Sequence, residues 1–184
     1  MNIKGSAVKS IKDYVETNHP EKLDEWLNSL PEDSKKLFSF PIYATNWYPI
    51  DVAAIIPTEK IGEIIFNSAD KGAWELGRYS ADIALNGIYK VFIRVLNPAY
   101  LIQRASKILP TYYSPSKMEA ISQGKKSVTL HVTEFENPHS IIDQRIAGWI
   151  ERALEITKCK DISINISKSM AKGDDITEFQ VSWN

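Results

Sequence analysis

The chain has 184 residues, with 22 basic and 23 acidic side chains, a net charge of −1 and 43 % hydrophobic residues. That length and balance suit one soluble domain over 1–184 with its own core, and the evenly mixed charge lacks the basic stripe of a nucleic-acid binder. The longest apolar run, Val52 to Ile56, is far too short to span a bilayer, the first residues lack the apolar stretch of a secretory signal and Cys159 is the only cysteine, so a cytoplasmic protein without internal disulfides is expected.

Val8, Ile11 and Val15 recur at spacings of three and four and predict an amphipathic helix over 6–18. Pro20 suits the first turn of a second helix that carries Leu23, Trp26, Leu27 and Leu30 and closes at Pro31. Residues 35–46, with Leu37, Phe38, Phe40, Ile42 and Tyr43 around Pro41, read as a buried but irregular connection. A helical region begins at Trp47 and is interrupted at Pro57. Thr58 can then cap a new helix through Asn67 by accepting a bond from an orphan backbone N–H. A long helix is expected over 69–96, bent at Asn86 and Gly87. Asn97 and Pro98 end it, and Pro98 opens a further helix to Leu109.

The period then changes. Val128, Leu130 and Val132 alternate with polar residues and predict a strand over 127–133, with 117–123 as its hairpin partner and Gly124 in the turn. Ile142, Ile146, Trp149, Ile150 and Ala153 return to helical spacing. Ile162, Ile164 and Ile166 mark another strand, and Phe179, Val181 and Trp183 a last one, with Gly173 in the turn between them. Helices first, then antiparallel strands with one helix crossing between hairpins, give an α+β architecture: an N-terminal helical layer packed on a small antiparallel sheet.

That order, with Trp47-Tyr48-Pro49, Leu76-Gly77-Arg78, Asn97-Pro98 and the Gly148 helix leading to a hairpin that ends in Trp183, resembles one superfamily. It includes the 4-vinyl-reductase-type ligand-binding domains, the haem-NO-binding domains and the TRAPP transport-complex subunits. Within it the chain looks most similar to a branch of bacterial proteins of about this length, abundant in myxobacteria. The 4-vinyl-reductase-type domains often carry a cysteine four residues before the turn glycine and another four after it, as a metal-binding pair. Ser169 and Thr177 stand there, around Gly173, and hydroxyls are poor zinc ligands. Haem-NO-binding domains hold iron through a histidine in the helical part and propionates through Tyr-x-Ser-x-Arg. Tyr112 and Ser114 match, but Ser116 replaces the arginine and no histidine lies between His19 and His131. On these departures neither zinc nor haem is expected, and the chain is read as having no cofactor.

Other chemistry is thin. His131 on a strand and His139 at a helix entry could meet Glu134 and Glu136 over a metal, yet Glu134 would face away from His131, and a solvated histidine is the plainer reading. Cys159, between Lys158 and Lys160, could be a nucleophile, but it falls at a helix end with no histidine motif near it. Gly72, Gly77 and Gly87 suit close helix approach better than a phosphate grip, and Asp174 and Asp175 suit a solvated turn. One aromatic and basic constellation remains: Trp74, Arg78, Tyr79, Tyr89, Phe92 and Arg94 in the long helix, then Tyr100 and Arg104. An inward arginine needs a carboxylate, from the protein or from an acidic ligand; the alternative is an aromatic core with arginines reaching the surface.

The resemblance places a ligand cavity between helices and sheet, so Trp74, Arg78, Tyr89, Phe92, Tyr100 and Arg104 are the candidate ligand-binding residues. The expected role is a non-catalytic sensory or regulatory domain for an apolar or acidic small molecule. A homodimerising interaction module is the alternative, favoured if Trp26 or Leu27 is exposed. An enzyme comes third and needs a perturbed titratable group in a cleft.

Overall fold

The first residues pair before any helix forms. In the computed structural model, which describes residues 1–86 and 107–184, β1 (Asn2–Lys4) lies between β2 (Trp47–Pro49) and β3 (Tyr113–Ser114) in a three-stranded antiparallel sheet. Ile3 is fully buried opposite Tyr48 and Tyr113. The helix expected to begin at Trp47 gives way to an edge strand there, where Pro49 loses no needed ladder bond.

α1 (Gly5–Asn18) buries Val8, Ile11 and Val15 as its spacing predicts. A 3₁₀ turn over Pro20–Lys22 leads into α2 (Leu23–Ser29). The connection expected to be irregular holds a regular helix, α3 (Glu32–Ser39), and its Phe38 meets Trp26 edge to face with ring centroids 5.1 Å apart. Residues 51–66 are helical throughout: a π-helical stretch Asp51–Ile55, then α4 (Ile56–Ile61), then a second π-helical stretch Gly62–Phe66. Pro57 therefore does not interrupt the helix; it sits in the first turn of α4, where the wider preceding turns leave room for its ring. Thr58 is no cap either. It lies inside the helix, wholly buried, and its hydroxyl accepts a bond from Arg145. Asn67, at φ 53°, ends the run.

α5 (Ala69–Asn86) begins the long helix; its expected continuation to Leu96, the bend at Gly87 and the start of the next helix at Pro98 lie outside the described residues, while residues 107–112, around its expected end at Leu109, are helical. After β3 come β4 (Ser116–Gln123), β5 (Ser127–Phe135), α6 (Ser140–Ile156), β6 (Ser163–Lys168) and β7 (Thr177–Ser182). The four strands form an antiparallel sheet in the order β4-β5-β7-β6. Val128, Leu130 and Val132 of β5 and Phe179 and Val181 of β7 face the core, as the alternation requires. The chain is α+β, as expected, with the short β2-β1-β3 sheet as an addition.

α5 and α6 cross in near contact. A β-carbon at Gly77 would sit 2.1 Å from the carbonyl oxygen of Arg145, and one at Gly148 the same 2.1 Å from that of Trp74. This crossing fixes which residues of α6 face inward. No helix among the described residues is long and apolar enough to cross a membrane.

Candidate functional site

The inner face of α6 closes an apolar pocket. Ala7 of α1, Gly77 and Ser80 of α5, Ile108, Leu109, Tyr112 and Tyr113, Met118 of β4, and Arg145, Ile146, Trp149 and Ile150 of α6 form its walls, which are almost entirely apolar. The space between these atoms is about 500 Å³, mouth included, and its interior is wide enough for a few water molecules. Residues four apart share a helix face, so Arg145 and Trp149 stack on one side, as Ile146 and Ile150 do beside them.

Two groups in this wall stand out. Arg145 is only 3 % exposed. Its Nη1 donates to Thr58 Oγ1 at 2.9 Å, and the Tyr113 hydroxyl lies against its guanidinium. Both neighbours are neutral, and among the described residues Arg145 forms no ion pair. Burial pushes the Tyr113 hydroxyl up from its usual pKa, against the pull of Arg145, so the phenol stays protonated. The second group is the Trp149 indole N–H, which is buried and has no acceptor among the described residues.

A second cleft, open and of mixed polarity, lies where α6 meets β6 and the last hairpin. Trp74, Asp143, Gln144, Ile164, Ser169 and Lys172 are among its walls. Ser169 and Thr177, noted in the sequence for their places either side of Gly173, converge here. Ser169 Oγ donates to Asp143 Oδ2 at 2.5 Å and Thr177 Oγ1 to Asp143 Oδ1 at 3.5 Å. Burial raises the Asp143 pKa while these hydroxyls, with Lys172 and His139 nearby, work to lower it. Asp143 is thus a perturbed carboxyl beside a cleft, but its oxygens are engaged in fastening the hairpin to α6. Asp174 braces the same turn by accepting from the Ser169 backbone N–H at 2.8 Å.

The sequence candidates divide. Arg78 lies outside the apolar pocket and is surrounded by carboxylates: Nη1 donates to Glu151, and Nη1 and Nη2 donate to the two Glu155 oxygens at 3.0 and 2.9 Å. Trp74 Nε1 also donates to Glu151, at 2.8 Å. Arg152 joins Glu155 to Asp82 at 2.7 and 2.8 Å. Trp74 and Arg78 therefore come together across the α5–α6 crossing. Tyr89, Phe92, Tyr100 and Arg104, with Arg94, lie outside the described residues. His131 pairs across strands with Glu178 at 2.6 Å, His139 caps α6 by accepting from Ile141 N at 3.3 Å, and Cys159 is half-buried.

Arg145, Trp149 and Thr58 are not singled out by sequence reasoning as site residues. Arg145 leaves a signal, since it falls within the apolar stripe of α6, three residues after Ile142 and four before Trp149. Tyr112, Tyr113 and Met118 need the fold to bring β3 and β4 against α6.

No protein-family model and no curated protein matches the sequence. Solved structures do match in fold. An H-NOX protein from S. oneidensis in the Fe(II)NO ligation state aligns over 99 % of this chain and 99 % of its own, with TM-score 0.75 and 12 % identity. Fe(II) unliganded H-NOX from K. algicida covers 99 % and 97 %, with TM-score 0.72 and 12 % identity. A mutant structure of T. tengcongensis H-NOX covers 99 % and 98 %, with TM-score 0.71 and 13 % identity. The architecture is H-NOX-like.

These neighbours correct one expectation. No cofactor is expected from the sequence, yet neighbours of this fold hold Fe(II), and another is described under haem distortion in the H-NOX family. The expectation rests on missing ligand residues, His and Arg at two places. The fold shared with those neighbours, and not any residue of the pocket, is what overturns it.

Proposed function

We propose that this chain is a small-molecule-binding sensory domain, read as one domain over 1–184, whose ligand occupies the apolar pocket between α1, α5, α6 and β4. The pocket itself carries the reading: an apolar space at the helix–sheet junction, with a few polar groups in its wall, is the usual form of a ligand site. The H-NOX-like fold supports it, because a neighbour of that fold binds NO at iron. Motif order supports a place near the 4-vinyl-reductase-type and myxobacterial branch of the superfamily. Trp74, Arg78, Tyr89, Phe92, Tyr100 and Arg104 remain proposed ligand-binding residues, with Trp74 and Arg78 acting at the helix crossing beside the pocket rather than in its wall.

Haem tests the pocket's chemistry. Apolar walls and Arg145 have the chemistry for a porphyrin and its propionate, but an interior wide enough for a few water molecules would have to open to admit the ring. The wall's donors to iron are Tyr112, Tyr113 and Met118, with no imidazole among the described lining residues. Bound iron would supply a coordination site for a diatomic gas. The burial that keeps Tyr113 protonated works against its use as a tyrosinate.

The test is native mass spectrometry of the protein as purified from cells, beside its absorption spectrum and a Ser80→Phe variant that fills the pocket. Extra mass that leaves on denaturation, and is lost in the variant, is the expected result. A wild-type chain that arrives bare and takes up no apolar probe, haemin included, would sink the reading.

A homodimer is the second reading. Trp26, whose exposure would have favoured it, is wholly buried, with its indole N–H donating to Pro57 O at 3.0 Å. What favours it instead is the exposure of Phe40, Tyr43 and Trp47, at 64 %, 62 % and 42 %, beside the open edge of β2. A second copy on that edge would give a dimer in sedimentation that Tyr43→Ser with Phe40→Ser dissolves.

A further inference from the structure

A buried guanidinium with no carboxylate is costly, because its charge is lost from water without an opposite charge in exchange. Arg145 is in that position, with two neutral hydroxyls as its described partners. Nor can the stretch outside the described residues supply the missing charge: between Asp82 and Glu119 the sequence has no acidic residue at all. Four residues on, in the same pocket wall, the Trp149 N–H is buried with no acceptor among the described residues. The two observations are independent, and both ask for an acceptor oxygen; Arg145 asks for a negative one.

We propose that the pocket takes an apolar molecule bearing a carboxylate, and that Arg145 receives the carboxylate with help from the Trp149 N–H. The inference rests on the pocket reading above and adds the class of ligand. Thr58 is a positioning residue: it holds Arg145 Nη1, and the guanidinium N–H groups that neither Thr58 nor Tyr113 engages are left for the ligand. The walls beside Ile146, Ile150, Leu109 and Met118 then take the apolar body. Two sources share this chemistry, a linear fatty acid and the propionate edge of a porphyrin.

The probes are decanoate, 1-decanol and haemin, titrated calorimetrically into the full chain and into Arg145→Met and Trp149→Phe variants. Decanoate should bind the wild type at least about tenfold more tightly than decanol, the difference that hydrogen bonds to a charged group support. Arg145→Met should erase that preference and leave decanol binding within about twofold. Trp149→Phe should weaken decanoate by a smaller factor. If Arg145→Met does not fold, Trp149→Phe and Thr58→Val carry the test. Haemin that displaces decanoate and loses affinity in Arg145→Met supports the proposal with a porphyrin as the acid; decanoate that haemin fails to displace supports it with a linear acid. Equal binding of decanoate and decanol to the wild type overturns the acid while leaving the pocket. Failure of all three probes to bind overturns both.

Discussion

The crossing of α5 and α6 places two arginines in opposite circumstances. On its outer side Arg78 has Glu75 at 3.8 Å as well as Glu151 and Glu155, and Trp74 shares the Glu151 carboxylate. On its inner side Arg145 has only hydroxyls among the described residues. Both arginines are inward-tending cations on amphipathic helices, and the sequence alone points to the first. What separates them is where their acids lie. Arg78 faces Glu151 and Glu155, four apart on α6, so the protein neutralises its own cation; Arg145 faces the pocket, whose described lining residues include no acid. A cation matched by the protein holds the fold together, whereas a buried cation left unmatched is the ground for the proposed ligand.

The crossing can be broken at its glycines. Gly77→Val puts branched carbon against the Arg145 backbone, where even a single β-carbon would be 2.1 Å from the carbonyl oxygen. The helices must part, at a cost of about 3 kcal/mol or more. Thermal melts should show either no cooperative transition or one shifted down by many degrees, and both faces should fail together. A Gly77→Val protein of wild-type stability would mean that the close approach does not hold the two faces in place.

The next largest effect lies at the inner end of α6. Asp143→Ala leaves the Ser169 hydroxyl, and the weaker Thr177 contact, without their acceptor, at a cost of about 1–3 kcal/mol. Urea unfolding should read this directly. Its pH sign is opposite to that of an ordinary paired carboxylate. Because burial raises the folded-state pKa above 3.8, the folded protein holds the proton more tightly than the unfolded chain. Asp143 therefore adds stability as pH falls through its raised pKa toward 3.8, and Asp143→Asn should remove that gain.

Arg78→Met comes third. Its side chain is about a quarter exposed and its partners Glu151 and Glu155 a quarter to a third, so screening limits the loss to about 1 kcal/mol. The comparison sharpens if Arg78→Met costs stability and weakens ligand binding only slightly, through the crossing it braces, while Arg145→Met removes the preference for the carboxylate at little cost in stability. Arg78→Met that abolishes binding would restore the sequence-based choice of anchor.

Periodicity makes much of this fold legible. The stripe of α1, the alternation in β5 and β7 and the stripe of α6 each bury the residues that their spacing selects, because a regular element facing one core must repeat its apolar residues. What stays hidden has no period to show. β1 and β2 are three residues long, and α3 is obscured by Pro41 and by the exposed Phe40 and Tyr43 that follow it. Thr58 misleads because a threonine after a proline suits a cap, and only the tertiary contact with Arg145 makes it a buried acceptor. The pocket is illegible for a similar reason: its wall joins residues as far apart as Ala7 and Ile150, and no local pattern links them.

The smallest effect belongs to the outer face of the sheet, and it is read as a slope. Glu178 accepts from Ser167 Oγ and meets His131 Nε2, each at 2.6 Å, and these bonds hold its pKa down at about 2, from an ordinary 4.5. The unfolded chain binds the proton more readily, so the contribution of Glu178 is complete above about 4.5 and is lost as pH falls toward about 2. Glu178 and Asp143 thus pull stability in opposite directions over overlapping acid ranges, one carboxylate matched by donors on a solvated strand face, the other burdened by burial against α6. Urea midpoints across the acid range, from about pH 5 to about pH 2.5, should fall less steeply in Glu178→Gln than in the wild type and more steeply in Asp143→Asn. Equal slopes in all three proteins would show that neither environment distinguishes the folded carboxyl from the unfolded one, and would remove the electrostatic ground on which the matched and unmatched groups of this molecule are told apart.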